Sequence, residues 1–272
     1  MKTHDWVGIA VYGASGRMGL SVLQAASTFA GVSVQSALVR ASSACIDKAV
    51  PGYSVEGQDA LIYQSALDPD LPVDVLIDFS AGEVFDNALA IAVEHRIAFV
   101  SGTTGLEPSQ QLDLQNAALR IPVLWSANFS LGVALLKRLS AEAAAALGPE
   151  FEVEIIEAHH AHKEDAPSGT ALALGKVIAH ARGLDFDQVA KRTRNGIVGA
   201  RDPQEIGFST IRGGDIVGEH TVMFIANGER IELTHRAGSR DLFARGALRA
   251  AQWIKGRRPA LYSVEDVIAA VV

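Results

Sequence analysis

Hydrophobic positions recur along this chain in two rhythms. Through the first half, Val7 to Tyr12, Val32 to Val39, Val73 to Phe79, Ile97 to Val100 and Pro122 to Trp125 are short, mostly apolar runs. Runs of that length and character suit strands covered on both faces. Between them, Leu20, Val22, Leu23 and Ala26, then Val84, Leu89, Ile91 and Ala92, fall at helical spacing, and Pro108 to Leu119 reads as a further helix. Strands alternating with helices in this way predict a doubly wound parallel sheet.

The rhythm changes after a helix predicted over Leu131 to Leu147, at Gly148-Pro149. Strand-like stretches then follow one another: Phe151 to Glu157, Glu205 to Arg212, Ile216 to Ile225 and Arg230 to His235. Gly213-Gly214-Asp215 and Asn227-Gly228 supply turn signals between them, so an antiparallel sheet and a second domain are expected. Asp185 to Asp202, with Lys191, Arg192, Arg194 and Arg201, reads as a solvated loop or a subunit contact. Arg240 to Lys255 and Val264 to Val272 read as closing helices. The expected architecture is α/β: an N-terminal Rossmann-like sheet over residues 1–130, onto which 241–272 pack back, plus a C-terminal α+β domain over 131–240 with a mainly antiparallel sheet.

The chemistry concentrates where the second rhythm begins. Phe151, Val153 and Ile155 alternate with Glu152 and Glu154, and continuing that period of two puts His159 on the side of Ile155 and Glu157, with His160 opposite. Pro167 ends the following loop, Ser168 is a good N-cap, and Ala171, Leu172, Leu174, Val177 and Ile178 begin a helix. Backbone amides of Ser168, Gly169 and Thr170 are expected to be free at that helix start, a natural anion site. Lys163 adds a full positive charge, so a carboxylate is the natural guest. A protonated His159 beside it is a candidate general acid. Zinc suits the stretch poorly: His159, His160 and His162 lack the helical spacing of a metal-binding pair, no cysteine is near, and Lys163 would repel a cation.

A second candidate lies upstream. Gly13-Ala14-Ser15-Gly16-Arg17-Met18-Gly19 joins the first strand to the first helix, the context a dinucleotide-binding turn requires, although Ser15 occupies the usual second glycine position. At the end of the second strand an NAD site usually places an acidic residue. Here Val39 is followed by Arg40, and a guanidinium in that place favours the 2'-phosphate of NADPH, with NADH possible but weaker. The loops Gly102-Thr103-Thr104-Gly105 and Ser126-Ala127-Asn128-Phe129 follow later strands and should face the same crevice.

Composition narrows the partners. A net charge of -7 argues against general affinity for nucleic acid or acidic membrane surfaces. The single Cys45 excludes an internal disulfide framework and fits a reducing compartment. The apolar run near the start is too short for a signal sequence, and no stretch has the length of a membrane span, so a cytoplasmic protein is expected.

The run Glu157-Ala158-His159-His160-Ala161-His162-Lys163-Glu164-Asp165-Ala166-Pro167-Ser168-Gly169-Thr170-Ala171 closely resembles the signature of the dihydrodipicolinate (4-hydroxy-tetrahydrodipicolinate) reductase family of lysine and diaminopimelate biosynthesis. Gly13 to Gly19, Gly102 to Gly105, Ala127 to Ser130 and Gly207 to His220 match family motifs in order, so the resemblance spans essentially the whole chain. It implies a reductase of a small cyclic dicarboxylate, with His159 as proton donor and Lys163 as second donor or substrate anchor. It implies that His160, Lys163, Ser168, Gly169 and Thr170 hold the carboxylates. Gly13 through Met18, Arg40, Gly102 to Thr104 and Ser126 to Phe129 would line the cofactor. It further implies a homotetramer, for which the antiparallel sheet is the natural interface; with cofactor and substrate on separate domains, closure about the connections at Phe129 and Arg240 would have to precede chemistry. A non-catalytic NADPH-binding redox regulator on the same fold is the alternative, against which the intact His159 and Lys163 speak.

Overall fold

Val7–Tyr12, buried at all six positions, forms β1 of a parallel sheet. The computed structural model describes residues 6–57 and 59–269. Along the chain follow α1 (Arg17–Ala26), β2 (Val32–Leu38), β3 (Tyr63–Gln64), β4 (Val75–Asp78), α2 (Gly82–His95), β5 (Ala98–Ser101), α3 (Pro108–Ala118) and β6 (Pro122–Trp125). The strands lie in the order β6-β5-β4-β1-β2-β3, every pairing parallel. Registers align Tyr12 with Leu38 and Asp78, Asp78 with Ser101, and Ser101 with Trp125. The loops that follow these residues therefore leave the sheet along one edge. Phe85, Ala88 and Ala92 of α2 and Leu114 and Ala117 of α3 belong to the core that includes Leu76, Phe99 and Val123 of the sheet. Pro108 and the reciprocal capping box of Glu107 and Gln110 define where α3 begins.

Two glycines set the geometry between β1 and α1. Gly13 has φ +76°, in the left-handed region, and a Cβ there would stand 2.7 Å from the Phe79 carbonyl oxygen. A Cβ on Gly19 would lie 2.2 Å from the Gly13 carbonyl oxygen, so α1 rests against the turn only because Gly19 has no side chain.

Leu131–Arg240 make up a unit of their own. It contains α4 (Leu131–Leu147), a turn of 3-10 helix at Gly148–Glu150, β7 (Glu152–His159), α5 (Gly169–Ala181), α6 (Phe186–Val189), β8 (Ala190–Lys191), β9 (Ile206–Arg212), β10 (Gly218–Ala226) and β11 (Glu229–Ala237). The sheet order is β11-β10-β7-β9-β8. The expected hairpin over Asn227-Gly228 joins β10 to β11, and β10 is antiparallel to β7 as well. The turn at Gly213-Gly214-Asp215 does not make a hairpin: β9 runs parallel to β7 on one side while β10 flanks it on the other. That connection crosses the carboxyl end of β7, where Gly213 N–H donates to His159 O and Ala161 N–H to Gly214 O. The crossover through α5, a helix long enough to carry the chain back to the other end of the sheet, is what permits the parallel pairing. Nor is Asp185 to Asp202 merely a solvated loop. It includes α6 and β8, and Arg194 and Arg201 are held by Glu154 and Glu205.

The closing segment consists of α7 (Asp241–Ile254), β12 (Ala260–Tyr262) and α8 (Val264–Ala269). Residues 241–272 group with 1–130, and β12 adds a seventh, parallel strand beside β6. Lys255 donates to Trp6 O and pairs with Asp74, while Gln252 donates to Ala30 O. The small edge strands β3 and β12 carry too little apolar pattern to be anticipated. The last three residues of the helix expected over Val264 to Val272 lie outside the described residues. Among the described residues, no helix is long and apolar enough to cross a membrane.

Candidate active site

One face of the second sheet changes character along β7. Val153 is level with Ile206 and Phe224, and Ile155 with Phe208 and Val222, and these side chains form the core with Leu174 and Ile178 of α5. Two residues further on, Glu157 is level with Thr210 and His220, and His220 with His235. The last row sets His159 level with Arg212. The period of two that builds the core thus carries it into a polar row and then to the end of the sheet. β7 extends two residues beyond the predicted end at Glu157, so His159 is a strand residue, held on rigid backbone.

Glu157 is the hub of this row. Its side chain is fully buried, and His159 Nδ1 lies 2.6 Å from Oε2. Arg212 grips the same carboxylate with both terminal nitrogens, each at 2.8 Å. Oε1 also accepts from Ser168 N–H at 3.1 Å and from Thr210 Oγ1 at 3.2 Å. Burial alone would raise the Glu157 carboxyl, but Arg212, His159 and the Ser168 amide outweigh it and hold the group below its ordinary range. It is an anion at neutral pH.

Ser168 caps α5 as expected, its Oγ accepting from Ala171 N–H at 3.1 Å. The expectation that its amide is free is corrected: that N–H belongs to Glu157, two strand positions before His159. Its hydroxyl meets His220 Nε2 at 3.0 Å. Ser168 is buried, so its own donors face inward, and the open part of the helix start is Gly169, above which a Cβ would meet nothing within 4 Å. Burial, and then the charge of His159, push His220 down to about 4, so this ring is neutral. It stands edge-on to His159 at 5.2 Å between centroids. Gly218 leaves room on that side, since a Cβ there would come within 3.1 Å of His159 Nε2.

The loop beyond β7 carries charges of both signs. His160 and His162 are 6.4 Å apart between ring centroids, and Lys163 Nζ donates to the exposed carboxylate of Asp165 at 2.7 Å. His160 is held below its ordinary value, by desolvation first and then by the positive charges of Arg240, His162, His159 and Lys163. Arg240 thus belongs electrostatically to this cluster, although its sequence position suggests only a connection. Among the described residues, no group of three or more His, Cys, Asp or Glu side chains is disposed to hold a metal ion.

The residues assigned to a cofactor lie in the other unit. Ser15, Gly16 and Arg17 are exposed at the start of α1, whose first turn has no side-chain cap, while Ala14 is buried. Arg40 is exposed just beyond β2 and Val39 is buried. Phe129 is buried too, its ring edge-on to Phe79, so only its backbone could meet a ligand. The Gly102-Thr104 and Ser126-Asn128 loops are tied down from within. Trp125 Nε1 donates to Thr103 O, and Ser126 Oγ to Asn128 O. Thr103 Oγ1 and Ser101 Oγ both donate to the buried Asp78, whose Oδ1 accepts from Ser80 N–H. Burial raises the Asp78 carboxyl, and these donors from Ser80, Ser101 and Thr103 offset only part of that. Asp78, Arg212, Thr210 and His220 were not singled out as site residues from the sequence. The apolar run before Asp78 reads as strand alone, and the other three reach His159 only through strand pairing.

Fold and site together define a Rossmann-type α/β protein joined to an α+β unit that carries a histidine, carboxylate and arginine cluster at the end of a strand. Residues 7–129 match the family description for the dihydrodipicolinate reductase N-terminus and 132–268 that for its C-terminus. The chain belongs to the dihydrodipicolinate reductase family. It is 45% identical over 261 residues to the 4-hydroxy-tetrahydrodipicolinate reductase of Pseudoalteromonas atlantica, covering 96% of this chain and 98% of that one. It is 46% identical, at the same coverage, to the protein of that name from Syntrophotalea carbinolica. A solved structure of dipicolinate-bound dihydrodipicolinate reductase from Paenisporosarcina sp. TG-14 superposes with a TM-score of 0.74 at 21% identity, over 96% of this chain and 99% of that chain, a likeness of fold.

Proposed function

We propose that this protein is a cytoplasmic NAD(P)H-dependent oxidoreductase that reduces 4-hydroxy-tetrahydrodipicolinate to tetrahydrodipicolinate in lysine and diaminopimelate biosynthesis, with His159 as general acid and NADPH preferred. The observation that carries the reading is His159 itself. It is fixed at a strand end by Glu157 through Nδ1, which leaves Nε2 for a substrate, in a unit that also presents Lys163 and the open Gly169 helix start.

The residues of the first unit suit a dinucleotide. The Ala14 and Gly16 amides are taken by Leu38 O and Gly13 O, which leaves the uncapped start of α1 to offer backbone amides to a pyrophosphate, and exposed Arg40 offers a fork to a 2'-phosphate. Val39 is buried and apolar, so nothing at that position repels such a phosphate. When bound, reduced nicotinamide supplies a hydride.

The second unit's residues have separable tasks. Lys163, His160 and the Gly169 and Thr170 amides bind the two carboxylates of the ring and hold it in one orientation. Lys163 must exchange its Asp165 partner for substrate to do so. Loss of the 4-hydroxyl as water leaves a conjugated ring, and His159 delivers a proton from Nε2 to it as charge develops there on reduction. The sheet face opposite α4 and α5 leaves Ile156, Met223 and Ile225 half-buried and Ile211 exposed, which supports a homotetramer formed through this sheet.

The test couples the purified protein to a dihydrodipicolinate synthase that supplies the unstable substrate and follows NADPH absorbance. Oxidation well above the synthase-free control is expected; absence of it removes the proposal.

A further inference from the structure

We infer that Glu157 and Arg212 form a positioning pair for the proton donor: Glu157 keeps a proton on His159 Nδ1 so that Nε2 is the nitrogen that delivers, and Arg212 locks Glu157 in the orientation that does this. The inference rests on the reading of His159 as general acid and assigns two residues to that same site.

The hydrogen-bond count carries it. A carboxylate has about four lone-pair positions. Glu157 receives His159 Nδ1, two Arg212 nitrogens, the Ser168 amide and the Thr210 hydroxyl. It has no capacity left to accept a proton and no freedom to turn, so it acts as a fixed anion rather than as a proton carrier. Because it can only accept, the imidazole nitrogen facing it must hold hydrogen, and the neutral ring then has a bare Nε2. On protonation the new proton sits at Nε2, on the side that Gly218 leaves clear. The same carboxylate orders the start of α5 through Ser168, and Arg212 reaches on to Asp165 O at 2.6 Å. One buried anion therefore sets the donor nitrogen, the helix start and the loop beyond β7 in a common frame.

The charges that face His159 come from every neighbouring element. Glu157 lies on β7 itself, Arg212 on β9, the neutral His220 on β10 and His235 beyond it on β11. His160, His162, Lys163 and Asp165 lie on the loop that follows. Among the described residues, Glu157 is the anion paired with the ring, and Arg212 is the arginine bonded to Glu157.

The experiment measures kcat against pH for the full-length protein and for Glu157→Gln, Arg212→Gln and His159→Ala. A general acid must be protonated, so activity falls as pH rises through its pKa. Removing the anion should move that basic limb to lower pH and lower kcat by roughly tenfold or more. Removing the cation should move the limb up while lowering kcat less. A scaffolding role alone would depress kcat without moving the two limbs in opposite directions. Limbs that stay at the wild-type pH, or move together, overturn the inference while the His159 reading stands if His159→Ala is inactive. A His159→Ala protein that retains turnover removes the reading itself. Should Glu157→Gln not fold, 15N-histidine spectra of the wild-type protein decide. Hydrogen on Nδ1 in the neutral ring is expected, and hydrogen on Nε2 overturns the assignment.

Discussion

Ser168 Oγ and His220 Nε2 lie 3.0 Å apart, joining the cap of α5 to a buried histidine on β10. The bond binds two segments 52 residues apart in sequence and keeps the helix start level with the polar row of the sheet.

The buried histidine gives stability a definite pH dependence. Its folded value is about 4 against an ordinary 6.5, so the fold favours the neutral ring. That contribution is fully present above pH 6.5 and is lost as pH falls from there toward 4, amounting to roughly 3 kcal/mol by linkage. His235, also lowered by burial, acts in the same direction. The carboxyls of Glu157 and Asp165, held below their ordinary ranges, add losses at still lower pH. Urea titrations between pH 7 and 4 should show a falling unfolding free energy, with a shallower fall in His220→Gln. Equal slopes for the two proteins would contradict this account.

Replacing His159 by Ala should lower turnover by about 10²- to 10⁴-fold, the usual contribution of a positioned acid. NADPH affinity, measured by fluorescence titration, should stay within about twofold, because the dinucleotide is assigned to the other unit.

Arg40→Ala tests cofactor choice. Loss of a charge-assisted bond to a 2'-phosphate, worth about 1.5–3 kcal/mol, should raise KM for NADPH by roughly 10- to 100-fold and leave KM for NADH nearly unchanged. Equal changes for both cofactors would show that Arg40 does not read the phosphate.

Gly19→Ala places a methyl group 2.2 Å from the Gly13 carbonyl oxygen, backbone against backbone. Either α1 or the turn must shift, at a cost of about 1–3 kcal/mol. A lower midpoint in thermal unfolding, accompanied by weaker NADPH binding, is the expected outcome.

Much of this molecule is legible in its residues. β1, β6 and α4 begin and end where apolar spacing and the Gly148-Pro149 break place them. Alternation alone puts His159 on the face of Ile155 and Glu157, and the side chains do lie there. Ser168 reads correctly as a cap because capping is a local event. The partners that organise the site are not local. Arg212 reaches Glu157 from 55 residues away, through a parallel pairing for which a glycine turn before β10 gives no sign. The same turn suggested a hairpin, since short polar connections look alike whether they join neighbouring strands or pass over one. The Ser168 amide could not be known to be occupied until β7 and α5 were seen together.

The return of residues 241–262 to the first sheet has a consequence for synthesis. Leu131–Arg240 leave the ribosome as one uninterrupted run with all five strands of their sheet, and can close their core at once. The nucleotide-type unit, begun earlier, cannot finish until α7 and β12 emerge more than a hundred residues later, and until then β6 remains an open edge. The unit begun earlier is completed last, so a nascent protein stalled before residue 241 would carry a finished histidine cluster and an unfinished first unit.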